Sequence, residues 1–237
     1  GAVGRAASSE RQGEGASTAR GGTRTGCVSD PWAILRDASA SPEAWGEAFC
    51  ELFDDAAIPP FLADELERDL PPARRNVILA AVEQTQFYDP ALRVRVTAAL
   101  LKHARVLRDE GGGPVLWCAI RRYASMVPVE HSDTLLEFLR PNDDVKTIQV
   151  ALQGIHNIYS IEKAPDCPAR DRLRERVHAL AVDRIDSAVA RTSADAAMCF
   201  CCCKAAHALR DPEYADVLAR LDALGHRRLS ERAREFR

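Results

Sequence analysis

The sequence predicts an all-α protein, and three observations lead to that prediction. Apolar residues recur at helical spacing along most of the chain from Asp30 onward, and nowhere do apolar and polar residues alternate long enough to indicate a strand. Aromatic residues make up only 6% of the 237 residues, so the core must consist mostly of Ala, Leu, Val and Ile, of which Ala and Leu favour helices. Short breaks that contain Pro or Gly separate the periodic segments, as expected of about ten helices.

The first 29 residues have a different composition from the rest of the chain. They are mainly Gly, Ala, Ser, Thr and Arg, with almost no large apolar side chain. Such a segment cannot bury enough surface to offset its ordering entropy, so residues 1–29 are expected to be a disordered leader. An organelle-targeting peptide is the alternative, although Glu10 and Glu14 and the missing amphipathic stripe argue against it. Residues 30–237 are expected to form one helical-repeat domain.

Proline in the first turn marks most of the predicted helix starts in the first half of the chain. Four such starts occur before residue 110, each followed by an apolar stripe: Ser41-Pro42, Pro59-Pro60, Pro71-Pro72 and Asp89-Pro90. The last of these begins a long helix through about Leu107, which Gly111-Gly112-Gly113 ends.

The same signals predict the later helices. They run from Val115 to about Val127, from about Ser132 to Leu139, from Asp143 to Ser160, from about Ala169 to Ala190, from Ser193 onward, from Asp211-Pro212 to Leu224, and after Gly225. Within the 169–190 helix, arginines interleave with acidic residues, which predicts a solvated, self-paired surface for Arg170, Arg172, Arg174 and Arg176.

Two of these segments share a residue pattern. The later segment contains Val145-Lys146, then Ile148, then Ala151-Leu152. Residues of similar size and polarity stand 51 positions earlier: Val94-Arg95, then Thr97, then Ala99-Leu100. The run from Leu135 to Lys146, continued to Ile158, resembles a HEAT repeat: a Leu-rich first helix, a Pro/Asp turn, then a Val-basic pair and an Ala-Leu ridge. The resemblance is good over 131–158 and fair over 89–107.

The resemblance implies an α-solenoid, HEAT-like or armadillo-like, made of stacked antiparallel helix pairs that bury one continuous core. A generic helical bundle is the alternative. The resemblance also implies that second helices line a concave, partner-binding surface. On the 143–160 helix the expected buried stripe is Val145, Ile148, Leu152, Ile155 and Tyr159. The expected partner-binding residues are Lys146, Gln149, Gln153, His156 and Asn157, with Arg95 and Lys102, beside His103, on the earlier helix.

The segment from Cys199 to His207 is the one distinctive cluster of chemically reactive side chains. Cys199, Cys203 and His207 stand at i, i+4 and i+8 on one helix face, a spacing at which sulfur and imidazole bind zinc or copper. The favoured interpretation is core packing, because a free cysteine behaves as a small hydrophobe. We therefore expect no metal and no other cofactor.

Charge and motifs narrow the function classes. The net charge is −3, whereas nucleic-acid binders usually carry a basic excess, and no metalloprotease, nucleophile-elbow or phosphate-loop motif occurs. The expected function is that of a non-enzymatic protein-interaction module or scaffold subunit with another protein as partner. The alternatives are a nucleic-acid-binding protein, which requires Trp117, Arg121 and Arg122 on one face, and a metal-binding sensor.

Clustered cysteines in a long chain predict reduced thiols and a cytoplasmic location, and no apolar run is long enough to span a membrane.

Overall fold

The computed structural model describes residues 30–160, 166–187, 193–223, 225 and 227–235. Within these ranges the regular structure is helical throughout, which confirms the all-α prediction. The predicted leader, residues 1–29, lies outside the described residues. The first six helices are α1 (Pro31–Arg36), α2 (Pro42–Glu51), α3 (Ile58–Glu67), α4 (Pro72–Gln84), α5 (Pro90–Asp109) and α6 (Pro114–Met126). A 3₁₀ helix, η1 (Val129–Phe138), precedes α7 (Val145–Tyr159), α8 (Pro168–Ser187), α9 (Ser193–Ala208), α10 (Tyr214–Ala223) and α11 (Arg227–Arg234).

Side-chain caps fix three of the helix starts that the sequence predicts, those of α2, α5 and α7. The Ser41 hydroxyl accepts a hydrogen bond from the Ala44 backbone N–H at 3.2 Å, and Asp89 accepts one from Ala91 at 2.7 Å. Asp144 accepts from the backbone N–H groups of Lys146 and Thr147, both at 3.0 Å. None of the described helices combines the length and apolar character that crossing a membrane requires.

Consecutive helices pack as pairs. The pairs are α1 with α2, α3 with α4, α5 with α6, η1 with α7, α8 with α9, and α10 with α11. The two members of a pair run in opposite directions. In the α8–α9 pair, for example, Arg170 near the start of α8 donates to the Leu209 carbonyl just after α9, whereas the Cys199 thiol early in α9 reaches the Arg184 carbonyl late in α8.

The pairs are arranged so that their second members form one layer. Within it, α2 packs on α4, α4 on α6, α6 on α7, α7 on α9 and α9 on α11. In the first layer α3 packs on α5, η1 on α8, and α8 on α10. Neighbours in the second layer run parallel: Trp117 meets Thr147 near the starts of α6 and α7, and Ala124 meets Gly154 nearer their ends.

One apolar core extends along the whole array, from Leu35 to Ala233. Four members of the stripe predicted for α7, namely Ile148, Leu152, Ile155 and Tyr159, are buried in it. The fifth, Val145, is 46% exposed, which corrects the prediction. Val145 is the first residue of α7, one turn before the residues that pack against neighbouring helices.

The expected equivalence of residues 94–107 and 145–158 is wrong. The earlier segment belongs to α5, the first member of its pair, whereas the later one belongs to α7, a second member. Both α5 and α7 pack against α6, so they occupy opposite layers rather than equivalent rungs. The shared pattern reflects the small and aliphatic residues that any helix buried on two sides requires.

Candidate functional site

The second layer carries a cleft of about 510 Å³ between α6, α7 and α9, here named the α6–α7 cleft. From α6 it is lined by residues that include Trp117, Cys118 and Arg121, and from α9 by Cys201. From α7 it is lined by Lys146, Gln149, Val150, Gln153, Gly154 and Asn157. Four of the seven predicted partner-binding residues, namely Lys146, Gln149, Gln153 and Asn157, are therefore brought together here.

A close approach of α6 and α7 forms the floor of the cleft. A Cβ atom at Gly154 would lie 2.6 Å from the Cβ of Ala124, closer than two carbon atoms tolerate. Nearer the helix starts, the indole Nε1–H of Trp117 donates to the Thr147 hydroxyl at 3.2 Å. That hydroxyl in turn donates to Asp144, the N-cap of α7. The position of Trp117 is thus tied to the capped start of α7.

Three amide side chains stand in a row on α7. Gln149, Gln153 and Asn157 follow one another at intervals of four residues and so share one helix face. Gln153 donates from Nε2 to the Asn157 Oδ1 at 2.7 Å, and Lys204 Nζ of α9 donates to the Gln153 Oε1 at 3.4 Å. Among the described residues Gln149 has no side-chain hydrogen bond. This amide row therefore offers both donors and acceptors to a ligand.

Two cations line the cleft together with the amide row, and its described lining contains no carboxylate. Lys146 is exposed and forms no ion pair within the described part of the chain. The Arg121 side chain is 62% exposed and lies 2.8 Å from the Glu83 carboxylate of α4. Because Glu83 neutralises Arg121, the unpaired positive charge among the lining residues lies at Lys146, and Lys204 stands beside the lining at Gln153.

Both cleft cysteines are held in the protonated state. Burial raises the pKa of the Cys118 thiol, and the neighbouring Glu83 carboxylate raises it further. Burial likewise raises the pKa of Cys201, although Lys204 and Lys146 act in the opposite direction. A thiol is a nucleophile or a metal ligand as the thiolate, so these two side chains act here as weakly polar lining.

His156, predicted as a partner-binding residue, lies at the α7–α9 contact rather than in the lining of the cleft. Its Nδ1 is 3.3 Å from the Lys204 backbone carbonyl. Burial lowers the pKa of His156, and the nearby Lys204 charge lowers it further. α9 packs against α7 on the side where His156 projects, so a partner-binding role for His156 stays a prediction that the cleft does not support.

Arg95 and Lys102 lie on α5 in the first layer and so are not part of the cleft. Arg95 is ion-paired with Glu67 at 2.7 Å and Asp64 at 2.8 Å, both on α3. Lys102 is exposed, whereas His103, expected to be exposed beside it, is buried, with its Nε2 2.8 Å from the Leu66 carbonyl. The exposure expected for His103 is wrong, because α5 is a first-layer helix and does not correspond to α7. Partner binding by Arg95 and Lys102 stays a prediction.

Three of the four cysteines of α9 belong to the core, and the fourth, Cys201, lines the cleft. Cys199 is 2% exposed, and Cys202 and Cys203 are fully buried. Burial raises the pKa of Cys203 to about 12. His207, the third residue of the proposed ligand set, packs against the ring of Tyr214, with ring centroids 5.4 Å apart. In the part of the chain that the structure describes, no three His, Cys, Asp or Glu side chains are grouped to hold a metal ion.

Sequence reasoning did not place the α6 side of the cleft. Trp117 and Arg121 were predicted to bind a ligand only if the protein binds nucleic acid, and no role was predicted for Cys118. One sequence pattern could have identified these residues. The cleft-lining residues of α6 have the same spacing as those of α7: Pro114, Trp117/Cys118, Arg121 and Ser125. Recognising it required knowing that α6 and α7 are neighbours in one layer.

Comparison with known proteins provides no relative from which a function can be transferred. No family model, no curated protein and no solved structure matches the chain. The similarity to HEAT repeats therefore rests on the residue pattern around 131–158 and on the pairing of the helices.

Proposed function

We propose that this chain is a non-enzymatic protein-interaction module, built as an α-solenoid of the HEAT or armadillo type. Its second layer binds an extended segment of a partner protein in the α6–α7 cleft. The pairwise packing of successive helices and the parallel neighbours of the second layer support the solenoid. The observation that carries the binding mode is the amide row of Gln149, Gln153 and Asn157 along one wall of the cleft.

The spacing of the amide row matches that of an extended peptide. Four residues of helix rise about 6 Å, and two residues of extended chain rise about 6.6 Å. A peptide lying along α7 therefore presents a backbone N–H and C=O to each of the three side chains in turn. Each amide side chain provides both a donor and an acceptor, and so pairs with a peptide group whatever the sequence of the partner.

The charges of the cleft favour an acidic partner segment. Lys146 stands at the N-terminal end of the amide row without an ion-pair partner among the described residues. Lys146 attracts a carboxylate of the partner segment. An ion pair of this kind at the rim of a binding site mainly increases specificity and the association rate. Trp117 at the same end of the cleft offers a partly buried aromatic surface for an apolar side chain.

Binding of the full chain to arrays of short peptides of random sequence tests the proposal. We expect selected peptides to be enriched in Asp and Glu. The variant Lys146→Glu should abolish that enrichment, and Gln149→Ala combined with Gln153→Ala should weaken binding about tenfold or more, since each lost hydrogen bond costs about 1 kcal/mol. Arg36→Glu is the control, because Arg36 is an exposed basic residue of α1, in the first layer and outside the lining of the cleft. Equal binding by all of these variants would overturn the proposal.

A nucleic-acid ligand is the second candidate, and one observation favours it: Trp117 and Arg121 line the same cleft as Lys146. Other features oppose it. Glu83 occupies Arg121, and Arg122 donates to the Thr85 carbonyl instead of facing the cleft. Anisotropy measurements with a labelled single-stranded oligonucleotide decide the matter. Salt-dependent binding that Trp117→Ala and Arg121→Ala both weaken would replace the peptide proposal.

A further inference from the structure

The first layer carries a second concave surface, which also touches α6 but is lined by different residues from the α6–α7 cleft. A groove of about 610 Å³, here named the α5–η1 groove, runs between α5 and the start of η1. Its walls are largely apolar. They include Val94, Ala98 and Leu101 of α5, Met126 at the end of α6, and Val127 and Pro128 of the connection to η1.

The α5 wall of the groove is an apolar stripe with no covering helix in the described structure. Pro90, Val94, Ala98 and Leu101 recur at intervals of three and four residues, the spacing of one helix face. The other faces of α5 pack against α3 and α6. Val94 is 67% exposed, and Tyr88, two residues before Pro90, is 90% exposed. Val94 lines the groove, whereas Tyr88 lies outside its lining. A contiguous exposed apolar surface such as this stripe is typical of a binding site.

The groove exists because α5 and η1 meet at one end only. Near the end of α5, Arg105 is ion-paired with Glu137 at 2.6 Å, and Arg108 donates to the Glu137 carbonyl at 3.0 Å. Nearer the start of α5, Arg93 donates instead to the Met126 and Ser125 carbonyls of α6. The two first-layer helices are thus joined at Glu137 and separated over the three turns before it.

Among the described residues that line the groove, Arg93 carries a positive charge and none carries a carboxylate, whereas the exposed Asp89 lies next to Pro90 at one end. Arg93 borders it and has no carboxylate partner among the described residues, and the same holds for Lys102, which follows Ala98 by one turn. Asp133 is already ion-paired with Arg172 of α8 at 2.7 Å. Glu130 remains as an exposed carboxylate near the groove. An occupant with acidic groups therefore complements this surface better than a basic one does.

We propose that the α5–η1 groove binds an amphipathic α-helix of a partner protein, with acidic residues flanking the apolar face of that helix. The stretch from Pro90 to Leu101 is about 16 Å long, which equals about three helical turns. A helix of that length presents apolar side chains at i, i+4 and i+7, the pattern by which helices bind in grooves. Its acidic residues then lie near Arg93 and Lys102. This site is separate from the α6–α7 cleft and does not depend on the function proposed for it.

The test uses a fluorescently labelled synthetic peptide with leucines at i, i+4 and i+7 and glutamates on either side. Its binding to the full chain is followed by fluorescence anisotropy. We expect Val94→Asp to raise the Kd about tenfold or more, since it places a charge in the apolar wall. Val145→Asp is the matched control: Val145 is an exposed valine at the start of α7 in the second layer, and its substitution should leave the Kd unchanged. A version of the peptide with lysine in place of glutamate should bind more weakly.

Other results would overturn the proposal. Equal binding of a peptide with the same composition in scrambled order would show that no helix face is recognised. If the chain sediments as a dimer that Val94→Asp dissociates, a second copy covers the groove. If an apolar small molecule such as a fatty acid displaces the peptide and binds in a manner sensitive to Val94→Asp, the groove is a ligand pocket. Lys146→Glu, which tests the cleft, should leave helix binding unchanged.

Discussion

Gly154 of α7 faces Ala124 of α6 so closely that a Cβ added at Gly154 would lie 2.6 Å from the Cβ of Ala124. The contact lies where two parallel helices of the second layer cross, beneath the cleft that we propose as the peptide site. Small residues on both sides allow the two backbones to approach. The shape of the cleft therefore depends on this pair, although neither side chain offers a polar group to a ligand.

Replacement of Gly154 by alanine should destabilise the protein. Helix propensity alone would favour alanine by about 1 kcal/mol, but forcing a methyl group against Ala124 costs about 1–3 kcal/mol. We expect a net loss of about 1 kcal/mol in the free energy of unfolding, measured by urea denaturation. Adding Ala124→Gly should restore most of the loss. A Gly154→Ala variant more stable than the parent would contradict the close contact.

Arg170 is a buried arginine on which the end of α9 depends. Its side chain is 1% exposed and donates to the carbonyls of Leu209 at 3.1 Å and Ala208 at 3.3 Å. Arg170→Met leaves these buried carbonyls without those donors, at a cost of about 2–4 kcal/mol in unfolding free energy. Arg174, which is 27% exposed and donates to the same Leu209 carbonyl, is the control. Arg174→Met should cost less than about 1 kcal/mol, and equal losses would refute the assignment.

Buried histidines should make the protein less stable in weak acid. Burial lowers the pKa of His103 below its ordinary value of 6.5, so below pH 6.5 the unfolded chain binds more protons than the folded one. The unfolding free energy therefore decreases as the pH falls from 7 towards the lowered pKa. His156 and His207, whose pKa values burial also lowers, act in the same direction.

The variant His103→Gln isolates the contribution of one histidine. It keeps an N–H donor for the Leu66 carbonyl but does not titrate. Between pH 7 and pH 5 its unfolding free energy should decrease less than that of the parent protein. Carboxylates with lowered pKa values, such as Glu137 beside Arg105, lose their stabilisation only below about pH 4.5 and do not obscure the comparison. An unchanged pH dependence would exclude His103 as a source of the effect.

Exposed cysteines should react with a thiol reagent faster than buried ones. The seven described cysteines are free: Cys50 is exposed, and Cys199, Cys202 and Cys203 are buried. In a Cys27→Ser background, which removes the thiol outside the described residues, we expect one fast reaction of the native protein with Ellman's reagent. Cys50→Ser should eliminate that phase. The three buried thiols of α9 should react only on unfolding, and a fast native reaction at Cys203 would contradict their place in the core.

Local signals in the sequence predicted where most helices begin. Asp89 followed by Pro90 predicted the start of α5, and α9 begins at Ser193 as expected. Tertiary contacts changed other expectations. Residues 129–138 form a 3₁₀ helix that starts earlier than predicted, and α10 begins at Tyr214 because Asp211 and Pro212 form a turn before it. The alternating charges of α8 predicted a solvated Arg170, yet the end of α9 covers it.

By itself the sequence determined the helical fold, the approximate boundaries of its helices and the polar face of α7, because capping, proline and periodicity act within a few residues of the chain. Only the tertiary structure decided which helices share a layer. That arrangement brought Trp117 and Arg121 to the amide row of α7, buried His103 and assigned Arg95 and Lys102 to the other layer. Such contacts join residues about 30 or more positions apart, and they depend on how whole helices fit together, which no local pattern encodes.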